Sequence, residues 1–463
     1  MAMLTERARP RVVREHPNAG WFAVGAVCFG AFMGQLDASI VTLTFPALQR
    51  EFGAPLAAVQ WVSLAYLLTL VGLLAAVGRI ADAVGRKLTY GYGFAVFTAA
   101  SVACGLAPTL GMLVGFRILQ AVGAAMLQAN SVALVVTSVP KAKARAALGV
   151  QAAAQALGLA LGPAVGGLLV GTVGWRWVFL VNVPVGILGL VAGRFLLPRT
   201  RERSPLGRRF DGAGVALLAT TSTAILLALS GLSGLGLPAW SIPALTVLGV
   251  LAALGFAWRE RRASNPIVRL SVLRPPAVSW GLAGALCGYL VLFGPLTLLP
   301  QVLGDHGIAG LVLTSLPAGF AVAALAAERI LPASFGPRGR SVTGAAISAA
   351  GCLAVLAAGG SAGLTGVSLF LVGLGLGVFI PANNSSIMAA IPATMSATGG
   401  GLVNMARGLG TALGVALVTL CLHAGSGAGV PLALSALAAG GAVAAVTGLS
   451  TGRGGPAGAD ARA

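Results

Sequence analysis

Acidic residues are scarce in this sequence: 11 Asp and Glu stand among 463 residues, against 30 Lys and Arg. Charged residues of either sign make up only 9%, while 57% are hydrophobic. A mean hydropathy of +0.92 excludes a soluble globular protein. No polar stretch exceeds about 20 residues, well short of the ~50 that a soluble domain needs. Cysteine and histidine are equally thin. Cys28, Cys104, Cys287, Cys352 and Cys421 lie singly in apolar runs, and His16, His306 and His423 are scattered. That spacing provides neither a zinc site nor a disulfide framework. No nucleophile or metal constellation appears, so a membrane enzyme has no support. No filter-like segment or ring of charges supports a channel. A cleavable signal peptide is not expected. The first 20 residues carry Arg7, Arg9, Arg11 and Arg14, and the apolar run after them is too long for a signal core.

Long apolar runs take the place of these features. Fourteen stretches approach the ~20 residues that a helix needs to cross a bilayer. They fall near 21–45, 57–77, 88–107, 110–136, 146–170, 177–197, 211–233, 238–258, 277–301, 308–330, 341–360, 363–391, 399–422 and 429–449. The basic residues cluster in every second gap: Arg79, Arg86 and Lys87; Lys141, Lys143 and Arg145; Arg199 to Arg209; Arg259 to Arg274; Arg338 and Arg340. Only Arg50 and Arg176 fall in the other gaps. Cytoplasmic loops are enriched in Lys and Arg, so this alternation orients the chain in a cell membrane with both termini in the cytoplasm. It also explains the net charge of +19 without a nucleic-acid partner. All seven Trp residues lie near span ends, as an interfacial aromatic belt requires.

An internal repeat underlies the pattern. Residues 155–162 (QALGLALG) resemble residues 407–414 (RGLGTALG), an offset of 252 residues. The same offset places Pro140 on Pro392, Gly123 on Gly375 and Arg86 on Arg338. Parallel repeats of this kind are a transporter architecture with the substrate site between the halves. The expected organisation is a cytoplasmic tail (1–20), a six-helix bundle (21–197), a linker with two extra membrane helices (198–276), a second six-helix bundle (277–449) and a cytoplasmic tail (450–463). The N-terminal tail is expected to be disordered.

Three motifs carry more specific information. Gly78-Arg79-Ile80-Ala81-Asp82-Ala83-Val84-Gly85-Arg86-Lys87 joins the second and third spans. Its glycines permit a tight turn, and Asp82 is a lone acid among basic residues. The segment from Gly158 to Gly167 (GLALGPAVGG), with Gly162, Pro163 and Gly166 inside it, combines close-packing glycines with a helix-bending proline. Residues 175–184 (WRWVFLVNVP) follow, and Leu36-Asp37-Ala38-Ser39-Ile40-Val41 lies in the first span. Over residues 20 to 450 these features, with the added helix pair, resemble the fourteen-helix drug:proton antiporters of the major facilitator superfamily. The resemblance implies an all-α membrane fold of two six-helix halves plus two inserted helices. It implies that Asp82 and its basic neighbours form a cytoplasmic latch, and that the Gly158 segment is the antiporter motif. The counterpart of the latch in the second half has Ser334 where Asp82 maps.

Asp37 stands out because an acid at span depth costs about 2.5–3.5 kcal/mol on insertion scales. Counted at 1.5 Å per residue, it lies about 12 Å below the outer boundary, and Arg117 lies roughly 10 Å below it in the fourth span. The pair is therefore level. Burial disfavours a charged carboxylate, which suits a proton carrier; a structural acid neutralised by Arg117 is the alternative. The resemblance links these two positions to proton coupling. Gln120, Gln128, Asn130, Gln151, Gln155, Asn383, Asn384, Asn404 and Arg407 are candidates to line a central cavity. Arg407 would either attract an anionic group or pack structurally. Glu328 and Arg329 are expected to snorkel at an interface, and Asp305 and His306 to lie in a solvated outer loop. The combined expectation is proton-coupled efflux of a small hydrophobic drug or antibiotic by a monomer in the lipid bilayer, without cofactor or metal. The alternative is a facilitator or importer of a small metabolite, against which the antiporter-like span argues.

Overall fold

The computed structural model describes residues 6, 8–200, 211–263, 270–303, 306–330, 335–391, 396–424 and 427–451. Fourteen helices of 15 residues or more run through them. They are α1 (Ala19–Ile40), α2 (Trp61–Val84), α3 (Arg86–Gly105), α4 (Leu110–Ser138), α5 (Ala144–Thr172), α6 (Asn182–Leu196) and α7 (Gly212–Leu232). The series continues with α8 (Ser241–Arg262), α9 (Pro276–Val302), α10 (His306–Ile330), α11 (Pro337–Ala357), α12 (Ala362–Ala389), α13 (Ser396–His423) and α14 (Gly429–Thr451). One helix falls in each expected span. Twelve are long and apolar enough to cross a membrane; α3 is missing from that set, and α10 has a shorter apolar segment, Gly310–Ala324. The reason for α3 is compositional, since it spends Lys87, Thr89, Tyr90, Tyr92, Thr98 and Ser101 on polar side chains.

In an apolar solvent every backbone polar group must be paired internally, which makes helices the natural spanning element. Several embedded hydroxyls follow the same rule. Ser101 donates to Phe97 O at 2.8 Å, Ser348 to Gly344 O at 3.0 Å and Thr419 to Val415 O at 2.9 Å. Helix starts are capped where the chain allows it: the Thr109 hydroxyl accepts from the Met112 N–H, and the Asp211 carboxylate from the Gly214 N–H. Gly85 separates α2 from α3 with φ 127°, a backbone conformation that side chains resist. The first span is longer than expected. After Ile40 it continues through a 3₁₀ turn, Val41–Thr44, into Phe45–Phe52, and ends at Gly53 in the left-handed region.

Contacts group the chain into two units, Met1–Ala253 with Leu299–Thr314, and Leu254–Leu298 with Ser315–Ala463. Within the first, α1 packs on α5, α3 on α4, α2 on α4, and α6 on both α1 and α3. The glycines make these approaches close. A Cβ on Gly158 would meet the Phe32 carbonyl of α1, one on Gly162 would meet Ser39 Oγ, and one on Gly166 would lie 2.8 Å from Ile40 Cγ1. Within the second unit, a Cβ on Gly410 of α13 would meet Leu286 O of α9, and one on Gly414 would lie 2.8 Å from Leu290 O. Gly123 of α4 is likewise pressed against Gly93 and Phe97 of α3, and Gly375 of α12 against Gly344 and Ser348 of α11.

The N-terminal tail departs from the expected disorder. Arg11–Arg14 forms a helical turn, and Glu6 is buried, accepting from Thr200 N at 3.0 Å, Thr200 Oγ1 at 2.8 Å and Leu88 N at 3.3 Å. A carboxylate that meets three donors is held, which composition alone did not reveal.

Candidate functional site

The two most deeply buried charges of the first unit lie together. Asp37 of α1 is 0% exposed and Arg117 of α4 1%. Arg117 Nη1 donates to Asp37 Oδ2 at 2.7 Å and to Gln120 Oε1 at 2.5 Å, while Nε donates to the Val62 carbonyl at 2.9 Å. Asp37 Oδ1 accepts from Gln120 Nε2 and from Asn182 Nδ2 of α6, both at 3.1 Å. Gln120 Nε2 also donates to Ser101 Oγ at 2.8 Å. The guanidinium stacks over the Tyr66 ring at 4.1 Å and lies 5.7 Å from the Phe179 ring. Burying a charge is tolerable only when it is paired and its remaining sites are satisfied. Here the carboxylate meets three donors, and the cation meets a carboxylate, an amide oxygen, a carbonyl and an aromatic face.

This arrangement has a chemical consequence. If Asp37 takes up a proton, Arg117 loses its anion but keeps Val62 O, Gln120 and the Tyr66 ring. Neutralising the carboxyl therefore leaves the donors of the cation satisfied but its charge unpaired, which favours movement of the pair.

Beyond the cluster, toward Gly53, the first span is tied by a second group. Arg176 Nη2 lies 2.7 Å from Glu51 Oε1, and Trp175 Nε1 donates to Glu51 Oε2 at 2.5 Å. The clamp joins Phe45–Phe52 to the short helix Arg176–Leu180, which carries Phe179 and leads into Asn182.

At the opposite end, Lys87 at the start of α3 is buried and donates to Leu197 O at 2.8 Å. Burial lowers its ammonium pKa to about 8, while Glu6 acts in the opposite direction. Gly85 makes the turn, Arg86 is half-buried, and Gly78 lies half-buried in α2. The backbone of Asp82 is in α2; its side chain, with those of Arg79, Lys141, Arg145, His306, Glu328 and Arg329, lies outside the described residues, as do Arg208, Asp305, Ser334 and Pro392.

The remaining candidates are distributed. Gln120 belongs to the Asp37 cluster. Gln128 faces Gly34 of α1, and Asn130 donates to Met126 O of its own helix at 2.8 Å. Gln151 is buried, with no partner for its Oε1 among the described residues, and Gln155 is half-buried in α5. Gly167 and the Pro163 carbonyl of α5 both lie 2.8 Å from where a Cβ on Gly310 of α10 would sit. In the second unit Asn383 is buried and donates to Gly281 O at 2.8 Å. Asn384 and Asn404 are half-buried, and Arg407 hydrogen-bonds to Tyr289 of α9. Sequence reasoning did not find Asn182, Ser101, Tyr66 or Phe179 as members of the cluster. Asn182 had a usable signal, an amide inside an apolar run next to Pro184; the others sit in runs where nothing distinguishes them.

Comparison with known proteins agrees with this architecture. The family model described as Major Facilitator Superfamily matches residues 27–415. Among curated proteins, the tetracenomycin C resistance and export protein of Streptomyces glaucescens is 34% identical over 423 residues, 88% of this chain and 77% of that one. The riboflavin transporter RibZ of Clostridioides difficile (strain 630) is 31% identical over 412 residues, 85% of this chain and 86% of that one. Among solved structures, a POT family transporter in complex with a thioalcohol-conjugated peptide superposes with a TM-score of 0.70 at 16% identity, over 94% of this chain and 98% of that one. With helices throughout its described residues, this many membrane-length spans and a family model matched over most of its length, the chain belongs to the Major Facilitator Superfamily and is a multi-pass membrane transporter, not an enzyme.

Proposed function

We propose that this transporter exports a hydrophobic drug or antibiotic from the cell in exchange for protons, by alternating access, with Asp37 as the proton carrier and Arg117 as its counter-charge. The observation that carries the reading is the fully buried Asp37–Arg117 pair, whose cation keeps other partners when the carboxyl is neutral. The similarity to an antibiotic resistance and export protein supports export as the direction. Inward proton movement supplies about 2.3 kcal/mol per charge per 100 mV of potential. In the proposed cycle Asp37 takes a proton from outside, loosens from Arg117, and releases the proton inward on the return step. Both termini are assigned to the cytoplasm, and the monomer is the working unit.

A neutral amide cannot titrate, so Asp37→Asn is expected to abolish efflux driven by an imposed pH gradient in proteoliposomes. Wild-type accumulation by Asp37→Asn would remove Asp37 from the coupling role. The riboflavin transporter similarity favours a second reading, movement of a small metabolite without proton exchange. Substrate-triggered proton release separates the two: the antiporter shows it, and a facilitator does not.

A further inference from the structure

One polar atom of the Asp37 cluster is unaccounted for. Asn182 is 0% exposed, and its Nδ2 donates to Asp37 Oδ1 at 3.1 Å, yet its own carbonyl, Oδ1, has no hydrogen-bond partner among the described residues. Buried acceptors without partners are uncommon, and each calls for a reason. Leaving the carbonyl bare is the consequence of turning the amide so that its donor faces the carboxylate. The reverse rotamer would set a carbonyl oxygen against a carboxylate oxygen, acceptor against acceptor. An asparagine amide has nearly the same shape either way round, with donors at one end and an acceptor at the other.

We infer that Asn182 is a positioning residue whose side-chain amide turns over with the protonation of Asp37, donating to the carboxylate and accepting from the carboxylic acid. This rests on the proton-carrier reading of Asp37. The proton adds to one carboxylate oxygen of Asp37 and makes an O–H bond. The amide rotates about Cβ–Cγ, and its Oδ1 then accepts that O–H in place of the Nδ2–H···Oδ1 bond that is broken. One end of the amide is without a partner in either arrangement, so the two rotamers carry similar penalties and neither protonation state is trapped. A fixed donor such as Arg117 has no such freedom, because it carries no acceptor.

The neighbours leave this task to Asn182. Arg117 of α4 faces Asp37 Oδ2, Tyr66 of α2 stacks on that guanidinium, and Cys104 of α3 points its thiol at Gln120 Oε1 at 3.9 Å. Gln120 is occupied at both ends, its oxygen by Arg117 and its nitrogen by Asp37 and Ser101. The one charged residue of α5, Arg145, stands in its first turn, and that of α6, Arg194, is twelve residues beyond Asn182. Glu51, farther along the first span, is held by Arg176 and Trp175.

Infrared difference spectra of the full-length protein in lipid, recorded across a pH step, test the inference. The Asp37 carboxyl is assigned as the C=O band that Asp37→Asn removes. Asn182→Leu is close in size but neither donates nor accepts, so the Asp37 acid loses its acceptor and its band is expected at higher wavenumber. If Asn182→Leu does not reach the membrane, Asn182→Ala removes the amide without added bulk and gives the same reading. An Asp37 band that titrates but stays at its wild-type position in the variant overturns the role of Asn182 and leaves Asp37 as carrier. The absence of any band that Asp37→Asn removes defeats the carrier reading, and this inference with it.

Discussion

Arg117 takes part in more of the cluster's contacts than Asp37 does, and its geometry is specific to a guanidinium. Its Nε and Nη1 reach Val62 O, Asp37 and Gln120 at once, while the flat face covers Tyr66. A lysine is a point charge on a flexible stem and cannot span these directions together. Hydrogen bonds involving a charged group contribute about 1.5–3 kcal/mol each. Arg117→Lys is therefore expected to slow the proposed proton-coupled efflux by about tenfold or more, the equivalent of losing a single such bond. Arg117→Leu leaves a buried carboxylate without its cation, a loss of roughly 3–5 kcal/mol unless Asp37 takes a proton instead. The checks are initial efflux rates and thermal unfolding in detergent, with stability ordered wild type, Lys, Leu. Equal rates for Lys and wild type would mean that charge alone matters at this position. The contact between Asp37 and Arg117 was legible in the sequence because depth along a helix follows from residue count. The places of Asn182 and Gln120 were not, because depth says nothing about which helix faces are turned together.

At the level of helices, α5 is shaped by what it must approach. Gly158, Gly162 and Gly166 recur every four residues and so lie on one face, the face set against the stretch of α1 that carries Asp37. The Gly158 position is closed by the Phe32 backbone carbonyl, which cannot rotate away. The Gly162 position is closed by Ser39 Oγ, whose hydroxyl is already committed to Gln35 O and Leu36 O at 3.1 and 3.2 Å. Gly149 and Gly171 of the same helix have nothing near a built Cβ. Overpacking costs about 1–3 kcal/mol, whereas Gly to Ala in an open helix position gains roughly 0.5–1 kcal/mol. Thermal unfolding should fall for Gly158→Ala and Gly162→Ala, more for the former, and hold or rise for Gly149→Ala. A common loss in all three would show that the cost does not arise at the α1 contact, since helix propensity alone predicts a gain. The small-residue pattern was readable as close packing from sequence. Its partner was not, since glycines carry no mark of what they touch.

For the whole molecule, bilayer thickness made the helix count legible, and the alternation of basic gaps carries orientation. What composition obscured were the ends, where contacts and not hydropathy decide: α1 runs on to Gly53, and Glu6 is drawn against Thr200. The two-half organisation stays a proposal supported by matching internal contacts: Gly158 and Gly410 each meet a backbone carbonyl of the first helix of their bundle, and Gly123 and Gly375 each press on the helix before their own. Orientation is the property on which the direction of transport depends. Positive-inside asymmetry assigns the gap after α4, with exposed Ala142, to the cytoplasm, and the gap after α7, with exposed Ala239, to the outside. Single cysteines at these two positions on a Cys-free background test it with a membrane-impermeant thiol reagent. In intact cells Ala239→Cys should label and Ala142→Cys should not; after permeabilisation both should. A reversed pattern would turn the molecule over and set Asp37, near the outer end of α1 in the present assignment, toward the cytoplasm. Asp37 would then take its first proton from the side of lower proton activity. Efflux driven by inward proton flow would lose its entry site, so the labelling experiment bears on the coupling reading as directly as any substitution in the cluster.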